Sequence, residues 1–440
     1  MDISGAHARD RSDWILVAVI ASGLLLLAYA MVHQAAFAPV ALALDEHEWA
    51  KFIVRPSILW GIMGTILLGF RTVLWFLYRP FPAATMADAP SLTVIIPAYN
   101  EGEMVRKSIE SVAAASYPRD RLQILVVDDG STDDTWRHIE QAAAGLGDVV
   151  TPIRFDANRG KREALAEGFS RARGDLVVTI DSDSVIEPGA LLAVAGPFRD
   201  PAIGAVAGKV VVYNRRAGLI PRMLHVRYVL SFDLLRAVES SYRTVYCCPG
   251  ALTAYRTAVV RSVLHEWATQ TFFGVRCTYG EDRALTNFIL RAGFHTVYQN
   301  SAVVHTLAPE SYAKMCKMFL RWDRSYIREE IRFQAIVWKR PLLPRCIALC
   351  ERFITNVRYP VNYAVLFLLV YECVNHPFVW FRVLAAIGIV SLFNTLYFLR
   401  HERSLNFLYG VAYAYFSFFT MFWIFPYALV TLRARSWLTR

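Results

Sequence analysis

The sequence has few cysteines, and their spacing excludes two kinds of site. The 440 residues include seven cysteines, and no Cys-x-x-Cys pair occurs with partner histidines. Structural zinc sites require such ligand spacing, and disulfide frameworks are typical of small secreted domains. Cys247 and Cys248 are adjacent in the chain. We therefore interpret the cysteines as cytosolic thiols rather than as a zinc site or a disulfide framework.

Acidic residues are also scarce relative to basic ones. Asp and Glu number 37 against 47 Lys and Arg, which gives a net charge of +10. Such an excess fits either a nucleic-acid-binding protein or a membrane protein with basic cytoplasmic loops. The chain has no nucleic-acid-binding motif and no soluble basic domain. Its basic residues lie beside apolar runs, 55% of its residues are apolar, and the mean hydropathy is +0.32. We expect a lipid bilayer as a partner and no nucleic acid.

Two apolar runs near the N-terminus predict membrane-spanning helices. They lie within residues 1–34 and 57–79, and each is long enough to cross a hydrocarbon core of ~30 Å. Basic residues lie outside the pair and acidic residues lie between them, which places both outer flanks in the cytoplasm. Residues 28–30 resemble a signal-peptidase site, but the length of the run favours an uncleaved anchor. The predicted location is the inner or plasma membrane, with several spans.

The C-terminal part predicts further membrane-associated elements. Residues 306–358 are amphipathic and basic, which predicts helices at the membrane interface, and residues 359–400 predict a transmembrane hairpin. Residues 401–440 are apolar but contain Pro426, which disfavours a continuous helix. A further span would also place the terminal arginines outside, against the positive-inside bias. We therefore predict a re-entrant or interfacial element at 401–440.

Residues 91–305 have the pattern of a soluble α/β domain, which we predict to be cytoplasmic. Short β-branched runs at 92–97, 124–127 and 176–180 each end in polar residues. Helical stretches such as 161–173 separate them. Alternating strands and helices predict a mostly parallel sheet with crossover helices.

Polar residues follow three of these strands. Tyr99 and Glu101 follow the first, Asp129 the second, and Asp181 and Asp183 the third. Ligands of open α/β sheets bind beyond the carboxyl ends of the strands, so these side chains are expected to form one site. An Asp-x-Asp sequence alone usually marks a solvated turn. Its position directly after an apolar strand favours Mg²⁺ or Mn²⁺ bound together with a diphosphate.

Three other segments contain residues suited to sugar transfer. Lys161 lies in a basic turn before a helix, where cations oppose the helix dipole and so suggest an anionic ligand; the alternative is a solvated turn. Glu281 and Asp282 precede another helix, and a carboxylate there suits a general base; the alternative is that both acids cap this helix. Arg321 and Trp322 suit phosphate binding and sugar stacking. The alternative for them is an interfacial tryptophan with neighbouring arginines that reach towards water.

The ordered set of these segments resembles the membrane-integrated family 2 glycosyltransferases, in particular hyaluronan synthases and rhizobial chitooligosaccharide synthases. The matching segments are Pro97–Glu101, Val127–Ser131, Gly160–Arg162, Asp181–Asp183, Gly280–Arg283, Arg321–Trp322 and Trp437–Arg440. The resemblance implies an α/β GT-A glycosyltransferase domain inserted between transmembrane helices. It also implies UDP-sugar donors, a divalent cation, an inverting single displacement, and a growing polysaccharide acceptor that passes through a channel.

The resemblance also implies roles for individual residues. Asp282 would be the general base, with Asp183 and Asp181 at the metal. Acceptor contacts would come from Trp322, Glu281 and Cys248. The nucleotide-binding residues would be Tyr99, Glu101, Asp129, Lys161, Asp181, Arg321, Trp437 and Arg440.

Two segments depart from the family pattern, and both concern the acceptor. Met318 occupies the position of a family glutamine, and the residues after Cys247 read Cys-Pro-Gly-Ala instead of the usual Gly-Pro order. The preferred interpretation is a processive hyaluronan synthase-type enzyme that uses UDP-GlcNAc and UDP-GlcA. The alternatives are a poly-GlcNAc-type synthase using UDP-GlcNAc alone, or a non-processive lipid-phosphate glycosyltransferase. A binding-only protein would be expected to have lost Asp183, Asp282 or Lys161.

Overall fold

A computed structural model of the chain describes residues 11–32, 51–375 and 377–434. The chain divides into two compact units. The first comprises Met1–Tyr78 with Leu342–Phe419, and the second comprises Arg79–Pro341 with Thr420–Arg440. The second unit is larger than the predicted catalytic segment 91–305, because it includes residues 306–341 and the C-terminal segment.

The helices and strands of the described residues are as follows. The helices are α1 Arg11–Val32, α2 Lys51–Leu77, α3 Met104–Ala113, α4 Thr135–Leu146, α5 Lys161–Arg171, α6 Ala190–Ala195, α7 Leu219–Val229, α8 Ala237–Ser241, α9 Thr257–Ala268, α10 Glu281–Arg291, α11 Tyr312–Ile336, α12 Leu342–Asn375, α13 Val379–Thr395, α14 Leu408–Thr420 and α15 Ile424–Val430. The strands are β1 Leu92–Ala98, β2 Leu122–Asp128, β3 Val150–Arg154, β4 Leu176–Thr179, β5 Ser184–Ile186, β6 Ile203–Val212, β7 Thr253–Arg256, β8 Thr271–Phe272, β9 Val275–Arg276 and β10 His295–Thr306. A π-helical stretch, Leu230–Arg236, joins α7 to α8.

The first unit consists of apolar helices joined by a few polar contacts. Within the described residues, three helices are long and apolar enough to cross a membrane: Lys51–Leu77, Leu342–Val374 and Trp380–Arg400. The Arg71 guanidinium lies 2.6 Å from the Glu351 carboxylate, and the Thr72 hydroxyl lies 2.6 Å from that of Tyr397. Pairing of this kind satisfies polar groups that would be costly to leave alone in an apolar surrounding.

Several predicted boundaries differ from those of the helices. α2 begins at Lys51 rather than at residue 57, and α12 continues from Leu342 to Asn375 through the predicted boundary at 358/359. The apolar segment 405–430 is broken between α14 and α15. Pro426 lies in the first turn of α15, where its missing N–H costs no hydrogen bond, so the helix starts beside the proline instead of being broken by it. A re-entrant course for 401–440 stays a prediction.

The second unit is built on an eight-stranded mixed sheet in the order β3-β2-β1-β4-β7-β6-β10-β5. β1 pairs in parallel with β2 and β4, as the alternating pattern predicts. All seven β1 side chains are buried, which is typical of a strand covered on both faces. β7 is antiparallel to both β4 and β6, so the sheet is less parallel than predicted.

Candidate active site

A cleft of about 610 Å³ opens at the carboxyl ends of β1, β2 and β4. Seven of the residues predicted to bind nucleotide or metal line it: Tyr99, Glu101, Asp129, Lys161, Asp181, Asp183 and Arg321. The strand ends bring these residues together because parallel neighbours finish at the same edge of the sheet.

Asp129 fixes the basic turn that precedes α5. Its carboxylate accepts hydrogen bonds from the backbone N–H groups of Arg159, at 2.7 Å, and Gly160, at 2.8 Å. Burial raises the pKa of Asp129, although these two hydrogen bonds oppose the rise. Gly130, at φ +70°, lies so close to this turn that an added Cβ would be 2.5 Å from the carbonyl carbon of Ala157. The loop after β2 and the turn before α5 are therefore held as one assembly.

Lys161 lies between the strand-end carboxylates of the cleft and helix α10. Its ammonium forms a short ion pair with Asp181 and lies 3.3 Å from the Glu281 carboxylate. Burial lowers the pKa of Lys161, but Asp181 and Glu281 outweigh this effect and hold it above its usual value. Burial raises the pKa of Glu281, but Lys161, a backbone hydrogen bond, Arg162 and Arg321 outweigh this effect and lower the pKa overall. We call Lys161, Asp181 and Glu281 the ion triad.

The Cys247–Ala251 segment, which departs from the family pattern, lies against the ion triad. A Cβ added to Gly250 would be 3.0 Å from the Lys161 ammonium and 3.2 Å from an Asp181 carboxylate oxygen. A larger residue at position 250 would therefore crowd the pair. This proximity was not evident from the sequence, because residues 161, 181 and 250 are far apart in the chain.

Asp181 and Asp183 have the chemistry of a divalent cation site. An Asp183 carboxylate oxygen accepts hydrogen bonds from the hydroxyls of Ser184, at 3.0 Å, and Thr306, at 3.1 Å, which orient it at the cleft wall. In the part of the chain that the structure describes, no group of three or more His, Cys, Asp or Glu side chains is arranged to hold a metal ion. Two carboxylates at one cleft fit an ion whose remaining ligands come from a diphosphate and water.

Asp282 lies in the first turn of α10, directly after the ion-triad member Glu281. One carboxylate oxygen accepts the Arg283 backbone N–H at 2.7 Å, and the other lies 3.9 Å from the Cys247 sulfur. Burial, followed by the charge of Glu281, raises the pKa of Asp282. A raised pKa makes the ionised carboxylate a stronger base. Asp282 does not line the cleft itself.

The N-terminus of α10 is fixed by contacts from two other helices. The Trp267 indole N–H donates to the Glu281 carbonyl at 3.0 Å, and the Arg328 guanidinium donates to the Tyr279 carbonyl at 2.8 Å. Gly280 has φ +76°, and a Cβ there would lie 2.0 Å from the Ser325 hydroxyl oxygen. α10 and α11 are therefore in close contact at the turn that carries Asp282.

Trp322 lies outside the cleft in a group of aromatic side chains. It is 38% exposed, and its ring centroid is 5.4 Å from that of Phe319 and 6.2 Å from that of Tyr228. Met318, one turn earlier on α11, lines the cleft. A partly exposed indole that packs against other aromatic rings is suited to stacking on a sugar.

Three groups of predicted site residues are not among the described residues that line the cleft. Cys248 is fully buried, and Cys247 is the cysteine beside Asp282; the acceptor contact expected of Cys248 stays a prediction. Glu281 is buried and pairs with Lys161 in the ion triad; its expected contact with the acceptor stays a prediction. Trp437 and Arg440 lie outside the described residues.

Other cleft residues were not identified from the sequence. Lys314 and Lys317 line the cleft together with Met318 and Arg321. Relative to Lys314, these four positions are i, i+3, i+4 and i+7, which places them on one face of α11 and was a usable signal. Tyr228 contacts Met318 but does not line the cleft, and it had no such signal, because the contact joins residues ninety positions apart.

Comparison with known proteins agrees with this architecture. A family model described as glycosyltransferase-like family 2 matches residues 89–325. A hyaluronan synthase from Streptococcus pyogenes is 32% identical, over 86% of this chain and 90% of that protein. An N-acetylglucosaminyltransferase from Azorhizobium caulinodans is 30% identical, over 80% of this chain and 87% of that protein.

A solved structure agrees with the chain fold. A mannosyltransferase from Pyrobaculum calidifontis, in complex with GDP-Man and Mn²⁺, superposes with a TM-score of 0.59 and 20% identity. The superposition covers 83% of this chain and 99% of that one. The expected GT-A fold is confirmed. The chain, a GT-A domain flanked by apolar helices, belongs to glycosyltransferase family 2.

Proposed function

We propose that this glycosyltransferase is a processive, inverting enzyme of the hyaluronan synthase type. It would polymerise sugars from UDP-GlcNAc and UDP-GlcA on the cytoplasmic side of the inner or plasma membrane and pass the chain across the bilayer. The observation that carries the proposal is the ion triad, because it joins the carboxylates of the donor cleft to the helix that bears Asp282. The 32% identity to a hyaluronan synthase over 86% of the chain supports this choice of product.

The donor would lie in the cleft with its diphosphate near basic residues. Tyr99, Glu101 and Asp129 lie at the ends of β1 and β2, where the uridine would bind, and Arg321 enters from α11. A guanidinium binds phosphate oxygens through paired N–H donors. Asp181 and Asp183 would hold Mg²⁺ or Mn²⁺, which neutralises the charge of the diphosphate when bound. The mannosyltransferase of similar fold carries Mn²⁺ together with its nucleotide sugar.

The transfer would be a single displacement at the anomeric carbon. An acceptor hydroxyl forms the new C–O bond, and the bond to the diphosphate breaks, so that UDP leaves with the electron pair. Asp282 takes the hydroxyl proton, and its raised pKa suits this role. Attack opposite to the leaving group inverts the anomeric configuration. Trp322 would stack on the acceptor sugar.

The test uses the full chain reconstituted in lipid vesicles with Mn²⁺ or Mg²⁺. UDP-GlcNAc and UDP-GlcA are supplied separately and together, and the product is sized and treated with hyaluronidase. We expect a hyaluronidase-sensitive polymer only when both donors are present. Polymer from UDP-GlcNAc alone would establish the poly-GlcNAc-type activity, which the 30% identity to an N-acetylglucosaminyltransferase also supports. A product of single additions would refute processivity.

Asp282→Asn tests the base directly. We expect it to abolish polymer formation while UDP binding persists, because the amide keeps the shape of the side chain but cannot accept the proton. Asp120→Asn, which changes an exposed carboxylate elsewhere in the same unit, is the matched control and should retain activity. Polymer synthesis at the normal rate by the Asp282 variant would refute the assignment.

A further inference from the structure

The loop after β1 contains a strained backbone position. Asn100 lies in this loop between Tyr99 and Glu101, and its φ is +53°. Among the residues that the structure describes, Asn100, Arg243 and Phe273 are the non-glycine residues with a positive φ. This left-handed region crowds the Cβ of most residues, and asparagine tolerates it better because its side chain can form local hydrogen bonds. Such strain persists only where the surrounding contacts hold it, and it is frequent at ligand-binding sites.

Hydrogen bonds to the loop after β2 hold Asn100 in this conformation. The Asn100 backbone N–H donates to the Ser131 hydroxyl at 3.0 Å. The Asn100 side-chain oxygen accepts the Thr132 backbone N–H at 2.9 Å, and the Thr132 hydroxyl lies 3.4 Å from the same oxygen. The ladder between β1 and β2 ends at the pair Ala98 and Asp128, so these bonds connect the two loops beyond the end of the sheet.

A second connection joins the same loop to the first turn of α4. The Thr135 hydroxyl accepts the backbone N–H groups of Glu101 and Gly102, both at 2.8 Å, and Thr135 is fully buried. Three consecutive N–H groups, from Asn100 to Gly102, are therefore bonded to side-chain oxygens outside their own loop. The left-handed turn at Asn100 sets the direction of these groups, because an extended residue there would rotate the following peptide units away.

These connections lie beside the residues proposed to bind the nucleotide. Tyr99 and Glu101, on either side of Asn100, line the cleft, and so does Asp129 in the loop after β2. A loop that is fixed before the ligand arrives avoids the entropic cost of becoming ordered on binding, which increases affinity. Loss of the Asn100 bonds would release both loops together, so its effect falls on nucleotide binding.

We propose that Asn100 is a positioning residue that fixes the loops after β1 and β2 in the geometry that binds the donor nucleotide. It acts through Tyr99, Glu101 and Asp129 and takes no part in the chemical step. The inference rests on the proposed function and specifies what gives its nucleotide site its affinity. Because the uridine diphosphate part is common to all UDP-sugars, the KM of every donor should rise by the same factor when Asn100 is replaced, with little change in kcat.

The experiment measures UDP affinity and donor kinetics for the full chain in detergent with Mn²⁺. Asn100→Ala and Asn100→Gly both remove the side-chain acceptor, and glycine also relieves the backbone strain. We expect either change to weaken UDP binding about tenfold, as the loss of one or two hydrogen bonds does. Asn100→Asp keeps an acceptor oxygen for the Thr132 N–H. At about 0.3 M salt, which screens the added charge, its UDP affinity should stay within about threefold of that of the unmodified protein.

Phe273→Gly is the matched control. Phe273 is also left-handed, with φ +47°, but it lies in the turn between β8 and β9 and does not line the cleft. The control should leave UDP affinity unchanged. Thermal unfolding of each variant verifies that the loss of affinity occurs in the folded protein.

Three outcomes would overturn the proposal: unchanged UDP affinity in Asn100→Ala and Asn100→Gly, an equal loss in Asn100→Asp, or a fall in kcat at unchanged KM. In each of them the unmodified protein still binds UDP, so the proposed function stands. Failure of the proposed function would differ, because the unmodified protein itself would then not bind UDP, and this result would overturn both.

Discussion

The contact between Gly280 and Ser325 allows a prediction with an internal control. Gly280→Ala places a methyl group 2.0 Å from the Ser325 hydroxyl oxygen and 2.6 Å from its Cβ, so α10 and α11 must move apart. Gly274 has the same φ of +76°, but nothing lies within 4 Å of its added Cβ. Both substitutions incur the cost of an alanine in the left-handed region, and Gly280→Ala alone adds the steric clash.

The two costs can be estimated separately. An alanine in the left-handed region costs about 1–2 kcal/mol. Forcing an extra carbon into a packed contact costs about 1–3 kcal/mol more. We therefore expect Gly274→Ala to lose about 1–2 kcal/mol and Gly280→Ala about 2–5 kcal/mol of stability. A displacement of Asp282 by about 1 Å should lower transfer about a hundredfold in the Gly280 variant.

The assay is thermal unfolding of both variants in detergent, together with the rate of sugar transfer. The double variant Gly280→Ala/Ser325→Gly removes the clashing side chain, so it should regain about 1–3 kcal/mol relative to the sum of the single changes. Glycine within α11 itself costs about 1 kcal/mol, which the Ser325→Gly single variant measures. Equal losses in the Gly274 and Gly280 variants, or no coupling in the double variant, would refute the reasoning.

Three further predictions concern carboxylates of the second unit, of which Glu281 and Glu329 are buried and Asp323 is half-buried. Glu281→Gln removes a charge that raises the pKa of Asp282, so the acid limb of the pH–activity profile should move to lower pH; a move to higher pH would contradict the assignment. Glu329→Leu leaves the Gln270 and Asn287 amides without their carboxylate acceptor and should cost at least about 2 kcal/mol in thermal unfolding, with Glu329→Gln less damaging. Burial raises the pKa of Asp323 to about 6, so the stability given by its protonated form is lost as pH rises from about 4 to 6. Asp323→Asn should therefore stabilise the protein more at pH 8, by up to about 3 kcal/mol, than at pH 4.5, and equal effects at both pH values would disprove this.

The central strands were predictable from the sequence because they are buried on both faces. β1, β2 and β4 are apolar runs whose ends carry polar residues, and the position of a site at those ends follows from the parallel pairing. β7 was not predicted. It has four residues, and its antiparallel place between β4 and β6 depends on pairing with strands distant in the sequence.

The candidate site shows the same division between local and distant information. Asp129, Asp181 and Asp183 follow strands, so the pattern of the neighbouring residues predicted their position. The link from Lys161 to Glu281 joins residues 120 positions apart and needs the folded sheet. The orientation of two adjacent cysteines was likewise not predictable, because neither a helix nor a strand fixes which of them faces inward.

The position of Lys161 between two carboxylates links the ligand state of the cleft to the protonation of Asp282, the proposed base. A ligand that attracts the Asp181 carboxylate away from Lys161 leaves the Lys161 ammonium paired with Glu281 alone. The ammonium then neutralises more of the Glu281 charge, so the negative potential that Glu281 exerts at Asp282 falls. The proton affinity of Asp282 decreases as a result, so binding of the proposed donor would favour the ionised form of Asp282. Thermodynamic linkage requires the reverse effect as well: ionisation of Asp282 must strengthen donor binding by the same factor. The enzyme would then bind its donor most tightly when Asp282 is ionised and able to accept a proton.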